Sequence, residues 1–140
     1  MVATNARKIP HIRNMARFNQ RVDFGELNQG ENRRPTDIDG YIEWKNKAHI
    51  FIEVKLLNTE LPHGQRLALE RLATDCSHSG KYAIVIVAEH TILTPDITIM
   101  SEHCVVRKVY QAKSGIGSWV QIEPVTLKQA VDKTIKYCDA

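Results

Sequence analysis

Residues 82–88 read YAIVIVA, an uninterrupted apolar run bounded by Lys81 and Glu89. A strand with one wet face alternates apolar and polar residues, whereas a continuous run of this kind belongs to a strand buried on both faces. Such a strand needs a layer of structure on each side. The chain is therefore expected to fold as an α/β sandwich, a mixed β-sheet flanked by helices. Its 140 residues suit a single domain spanning 1–140, because one core typically forms at about 100 to 200 residues. Hydrophobic content of 43% and charged content of 25% are ordinary for a globular protein. No apolar stretch approaches the roughly 18 residues that a membrane-spanning helix needs. The opening MVATNARKIPHIRNMARF is basic but lacks the apolar core of a secretory signal, so a cytoplasmic location is expected. Cys76, Cys104 and Cys138 are widely spaced and lack a C-x-x-C pair, which reads as free thiols in a reducing compartment.

The formal charge of +3 is unevenly spread: Arg7, Lys8, Arg13, Arg17 and Arg21 all precede the first acid, Asp23. A basic helix is predicted within 8–22, where Arg13, Arg17 and Arg21 recur every four residues and Ile12, Met15, Phe18 and Val22 supply an apolar face. Those three cations suit either a solvated face or contact with phosphates. Residues 23–36, with Gly25, Asn28, Gly30, Asn32 and Pro35, read as a loop. Next come two β-rich segments, 38–44 and 49–57, separated by the polar turn Lys45-Asn46-Lys47, which together read as a hairpin. Pro62 then precedes QRLALERLATDC, in which Leu69, Leu72, Ala73 and Cys76 follow the helical period. After the buried strand, ITIM (97–100), CVVRKVYQA (104–112) and GIGSWVQIEP (115–124) read as strands. TLKQAVDKTIKYC reads as a terminal helix with Thr126 as its N-cap. The C-terminal strands and helix thus occupy 97–138.

The chemistry concentrates in the hairpin. Alternation puts Phe51, Glu53, Lys55 and Leu57 on one face of the second strand. Two charges in so apolar a strand must be compensated, since each unpaired buried ion costs several kcal/mol. A Glu53–Lys55 ion pair would suffice by itself. With the turn near Asn46, however, position 39 falls opposite about position 53, and Asp39 then meets Glu53 on one sheet face. Two such carboxylates repel unless a cation lies between them, and oxygen ligands with open water positions suit Mg²⁺ or Mn²⁺. Gln65, four residues before Leu69 and seven before Leu72, faces inward at the start of its helix and needs a polar partner.

Asp39, the Glu53-x-Lys55 triplet after thirteen intervening residues and the helix after it resemble the PD-(D/E)xK nuclease superfamily. The resemblance covers residues 33–88, including the helix and strand after the motif. It implies a restriction-endonuclease-like core, with Asp39 and Glu53 as ligands of Mg²⁺ or Mn²⁺ and Lys55 as partner of the water that attacks a phosphodiester bond. RecB-like branches carry a glutamine in the helix after the lysine strand, which implies a catalytic-site role for Gln65. The reaction implied is metal-dependent hydrolysis of DNA. Arg13, Arg17, Arg21, Arg33 and Arg34 are the candidate backbone contacts, the last two only a few residues from Asp39. Small relatives, Holliday-junction-resolvase-like and phage-encoded nucleases among them, commonly act as dimers or with partners, so the resemblance implies either a homodimer or a partner protein here.

The motif is loose at its first position. Pro35 is followed by Thr36 before Asp37, and Asp39 by contrast follows Ile38, so Asp37 is a rival ligand. Glu26 is the candidate for an additional acid from the preceding segment. Asp96 in TPDIT has no E-x-K after it and reads as a turn residue, and His63 as a loop histidine. Cys76, His78, His103 and Cys104 lack the spacing of a zinc site. Two other readings compete with the nuclease. One is a nucleic-acid-binding or assembly protein with a nuclease-like fold and little catalysis; the other is a structural protein whose E-x-K is an ion pair.

Overall fold

The computed structural model describes residue 20, residues 23–27, 29–30 and 35–140. The chain divides into two units, Met1–Pro35 and Thr36–Ala140. Of the first, the described part contains one 3-10 turn, Gly25–Leu27, closed by the Leu27 N–H on the Phe24 carbonyl at 2.8 Å. The predicted basic helix, with Arg13, Arg17 and Arg21, lies outside the described residues, as do Arg33 and Arg34.

In the second unit the order is β1 (Gly40–Trp44), β2 (Ala48–Leu56), α1 (His63–Cys76), β3 (Tyr82–His90), β4 (Val105–Lys113), β5 (Ile116–Thr126) and α2 (Leu127–Asp139). The five strands form one sheet in sequence order, with β1 and β5 at its edges. Neighbours are antiparallel except β2 and β3, which run parallel and are joined through α1. This is the α/β mixed sheet that the apolar run at 82–88 requires. Ala83, Val85 and Val87 pack on one face with Phe51, Leu61, Leu69, Ala73 and Tyr110, beneath α1. Ile84, Ile86 and Ala88 pack on the other with Ile50, Val106, Val109, Leu127 and Ala130, beneath α2. One strand thereby supplies the centre of two cores.

Three local details set the registers and the helix start. The β1–β2 turn places Lys45 (φ 46°) and Asn46 (φ 58°) in the left-handed region, and the Lys47 N–H closes it on the Trp44 carbonyl at 2.7 Å. Consecutive left-handed residues match the twist of a hairpin, and the Glu43 carboxylate accepts the Asn46 N–H at 2.6 Å. The turn fixes the register as Gly40↔Ile52 and Tyr41↔Phe51. At the other side of the sheet, β4 carries one extra residue: Val87 pairs with Lys108 but Ala88 with Val106. Arg107 is the bulged residue, and the bulge lets Val106 and Val109 face the same core despite their odd spacing. Finally, α2 starts at Thr126, whose side chain accepts the Gln129 N–H while the Gln129 side chain accepts the Thr126 N–H, a capping box. Thr126→Ala is expected to cost about 1 kcal/mol, read as a fall of a few degrees in melting temperature.

Two expectations are corrected. ITIM at 97–100 is not a strand: residues 91–100 form an irregular connection, with Ile97 and Ile99 exposed. Its β-branched residues favour extended backbone but have no adjacent strand to pair with, and such propensity counts only where a ladder partner exists. Strand structure therefore resumes at Val105, after a 3-10 turn at Ser101–His103. On α1, Leu69 and Ala73 are buried while Leu72 is exposed, because the helix buries a stripe too narrow to include it.

Candidate functional site

The parallel pair β2–β3 ends where α1 begins, so the C-terminal ends of two parallel strands and the N-terminus of a helix share one end of the sheet. Ligands of α/β proteins gather at such strand ends, and a helix N-terminus carries partial positive charge. Asp39 lies just before β1, one step beyond the last backbone pair of the hairpin. Continuing the register by one residue sets it opposite Glu53, and side chains replace the ladder there. The Asp39 N–H donates to Glu53 Oε2 at 3.2 Å, and Asp39 Oδ2 accepts the Val54 N–H at 2.8 Å. Each carboxylate is thus tied to the opposite backbone. That reciprocity is the reason the hairpin extends past Gly40 without a backbone pair.

Glu53 is 1% exposed, on the α1 side of the sheet. Its Oε1 accepts a hydrogen bond from Gln65 Nε2, and the same amide lies 3.4 Å from the Asp37 carbonyl. Gln65 therefore links the start of α1 to β2 and to the segment that leads into β1. Among the described residues no buried side-chain nitrogen or oxygen lacks a hydrogen-bond partner. Even so, burial pushes the Glu53 carboxyl above the ordinary glutamate range. The Asp39 N–H opposes that shift, the Asp39 charge reinforces it, and Lys55 and Gln65 oppose it. A carboxyl raised in this way binds its proton more tightly in the fold than in the unfolded chain. The resulting stability is fully present below about pH 4.3 and is lost as pH rises through the elevated value. Gln65→Ala removes a partner of the ionised form. At pH 8 it is expected to cost about 1–3 kcal/mol in denaturant unfolding, and clearly less at pH 4, where Glu53 is protonated.

Lys55 follows on the same face of β2 and is half-buried. Among the described residues it has no ion pair within 4.0 Å, with Glu53 or with any other carboxylate. The simple ion-pair reading of E-x-K therefore does not describe the side chains. The parallel register sets Glu89 beside Lys55, and alternation turns Glu89 to the same face as Val85 and Val87. Glu89 is engaged elsewhere: Oε2 accepts the Asn58 N–H and Oε1 pairs with bulged Arg107, both at 3.4 Å. Glu89 and Arg107 were not legible as site neighbours. Their proximity depends on the parallel register and on a bulge, neither of which leaves a local mark in sequence.

Among the remaining candidates, Asp37 approaches the constellation through its carbonyl, and its side chain is exposed. Glu26 lies in the 3-10 turn of the first unit. His63 and Asp96 are exposed. Among the described residues no group of three or more histidine, cysteine, aspartate or glutamate side chains is arranged to hold a metal ion, and Cys104 is buried in the α2-side core.

Searches against known protein families, curated proteins and solved structures give no match for this chain. Function therefore rests on the chemistry of the donors. Asp39 and Glu53 offer carboxylate oxygens in register on neighbouring strands, close enough for the charge of one to raise the pKa of the other. Two carboxylates fit Mg²⁺, which binds through one or two protein acids and fills its other positions with water and phosphate oxygens. They do not make a closed cage for Ca²⁺ or a soft site for zinc. No helix among the described residues is long and apolar enough to cross a membrane.

Proposed function

We propose that this protein is a divalent-metal-dependent nuclease that hydrolyses DNA phosphodiester bonds, built on a restriction-endonuclease-like core of the PD-(D/E)xK type. The observation that carries this reading is the reciprocal hydrogen bonding of Asp39 and Glu53, with Gln65 on the Glu53 carboxylate and Lys55 on the same face without an ion pair among the described residues. Two adjacent carboxylates, one of them buried, beside a lysine with no ion pair among the described residues, favour this reading over a purely structural E-x-K pair.

Asp39 and Glu53 would hold Mg²⁺ or Mn²⁺. Bound there, the ion supplies Lewis-acid polarisation of a phosphate oxygen and a lower pKa for bound water. The Val54 N–H fixes one oxygen of Asp39, and Gln65 together with the Asp39 N–H fixes both oxygens of Glu53. These bonds hold the two acids in position before substrate arrives. Lys55 brings a positive charge to the scissile phosphate, holding the attacking water and offsetting charge that grows on the phosphate oxygens. Arg33 and Arg34, close to Asp39 in sequence, and Arg13, Arg17 and Arg21 are proposed as backbone contacts; such contacts fix register without reading sequence.

The test is incubation with linear, circular, branched and single-stranded DNA in Mg²⁺ or Mn²⁺, beside the Lys55→Ala protein. Cleavage of at least one substrate by wild type only is expected. No cleavage of any, or equal cleavage by the variant, rejects the reading.

A further inference from the structure

On the α1 side of the sheet, α1 packs over β2 to β5 and leaves edge strand β1 largely uncovered. Tyr41 of β1 is 50% exposed there, directly across from Phe51, which is 4% exposed. The two rings stack with centroids 5.1 Å apart and planes 19° apart. Tyr41 also lies nearly parallel to the His49 ring, at 12° and 6.0 Å, and its hydroxyl is 2.7 Å from His49 Nδ1. One face of the tyrosine ring is thus backed by aromatic side chains, its orientation is fixed by a hydrogen bond, and half of its surface remains open. Cross-strand aromatic pairs stabilise a sheet, but that role does not call for an exposed ring held this flat.

The exposed ring lies close to the acids along both strands. Phe51 is two residues before Glu53 on the same strand face, a separation of about 7 Å, and Tyr41 is two residues after Asp39. Glu43, the next residue of β1 on that face, is turned away to the Asn46 N–H. A flat, pre-oriented aromatic ring beside a phosphate-cleaving centre is the arrangement that receives a nucleic-acid base, because every base offers a π-face and loses little orientation entropy against a fixed ring. In a paired duplex the base faces are covered by their neighbours. We propose that Tyr41 is a stacking platform for an unpaired base next to the scissile phosphate, so that the substrate presents a single-stranded segment at this site. The proposal rests on the nuclease reading for the identity of the neighbouring centre, but binding tests it separately from cleavage.

The experiment is fluorescence anisotropy without divalent metal, using a labelled single-stranded oligonucleotide and a blunt duplex of the same length. Wild type is compared with Tyr41→Phe and Tyr41→Leu. Leucine keeps apolar cover over Phe51 but has no π-face; phenylalanine keeps the ring. The ratio of single-strand to duplex affinity is expected to fall about 5- to 150-fold in Tyr41→Leu and to recover in Tyr41→Phe. Because a ratio is read, a general loss of folded protein does not imitate the result. An unchanged ratio in Tyr41→Leu overturns the platform, as does a change in oligomeric state with the ratio unchanged, which would make this face a contact between copies. If the ratio falls as expected while wild type cuts no DNA in Mg²⁺ or Mn²⁺, the platform stands and the nuclease reading fails. If DNA is cut and the ratio is unchanged, the reverse holds.

Discussion

Lys55→Ala is expected to lower DNA cleavage by about 10²- to 10³-fold, the range associated with removing one preorganised donor aimed at developing charge, while changing the melting temperature little. The combination is informative because the competing account of the E-x-K sequence predicts the opposite. Were Lys55 the partner that compensates buried Glu53, its removal would strand a buried charge and cost about 3–5 kcal/mol. The side chains argue otherwise: Glu53 is held by the Asp39 N–H and by Gln65, and Lys55 has no ion pair among the described residues. Lys55 does help Glu53 ionise at a distance, so a small loss of stability at neutral pH is consistent with the proposal. Chemical denaturation and a single-turnover cleavage assay on the same preparation separate the two accounts. A large stability loss with unchanged cleavage would return Lys55 to a structural role.

The difference between what sequence revealed and what it concealed lies in the range of each interaction. Asp39 and Glu53 could be paired in advance because a short turn fixes a hairpin register, and one polar turn at 45–47 determines every partner up to position 39. Gln65 was legible because helical periodicity put a polar residue on an inward face, and a buried amide must find a partner. The two-faced burial of β3 was written in its composition. Glu89 and Arg107 were hidden because parallel pairing through a crossover is set by packing over many residues, and the β4 bulge shifts alternation by one without a glycine to mark it. ITIM misled for the complementary reason: local β-propensity was present and a pairing partner was not. Tyr41 and His49 lay within the legible hairpin register, but aromatic residues at an edge carry no signal of function until their exposure and ring orientation are seen.

Glu53→Gln is expected to separate metal binding from folding. In metal-free protein the wild type should lose stability relative to Glu53→Gln as pH rises from about 4 towards 8, since the ionised Glu53 of the fold is disfavoured by burial and by Asp39. The amide is nearly isosteric and keeps an acceptor for Gln65, although its NH₂ cannot accept the Asp39 N–H, a fixed loss of about 1 kcal/mol. The pH slope of the difference is therefore the quantity to read. Mg²⁺ should act in the opposite sense: an ion that binds the folded wild type stabilises it by about 2.7 kcal/mol at one hundred times its dissociation constant, and Glu53→Gln should gain little. Lys55→Ala should keep this gain or increase it, because a neighbouring positive charge has been removed without touching either carboxylate. Thermal melts of the three proteins at pH 8, with and without Mg²⁺, distinguish these outcomes. Equal stabilisation of wild type and Glu53→Gln would place the ion elsewhere, whereas a gain confined to proteins with an intact Glu53 would assign it to the pair of acids.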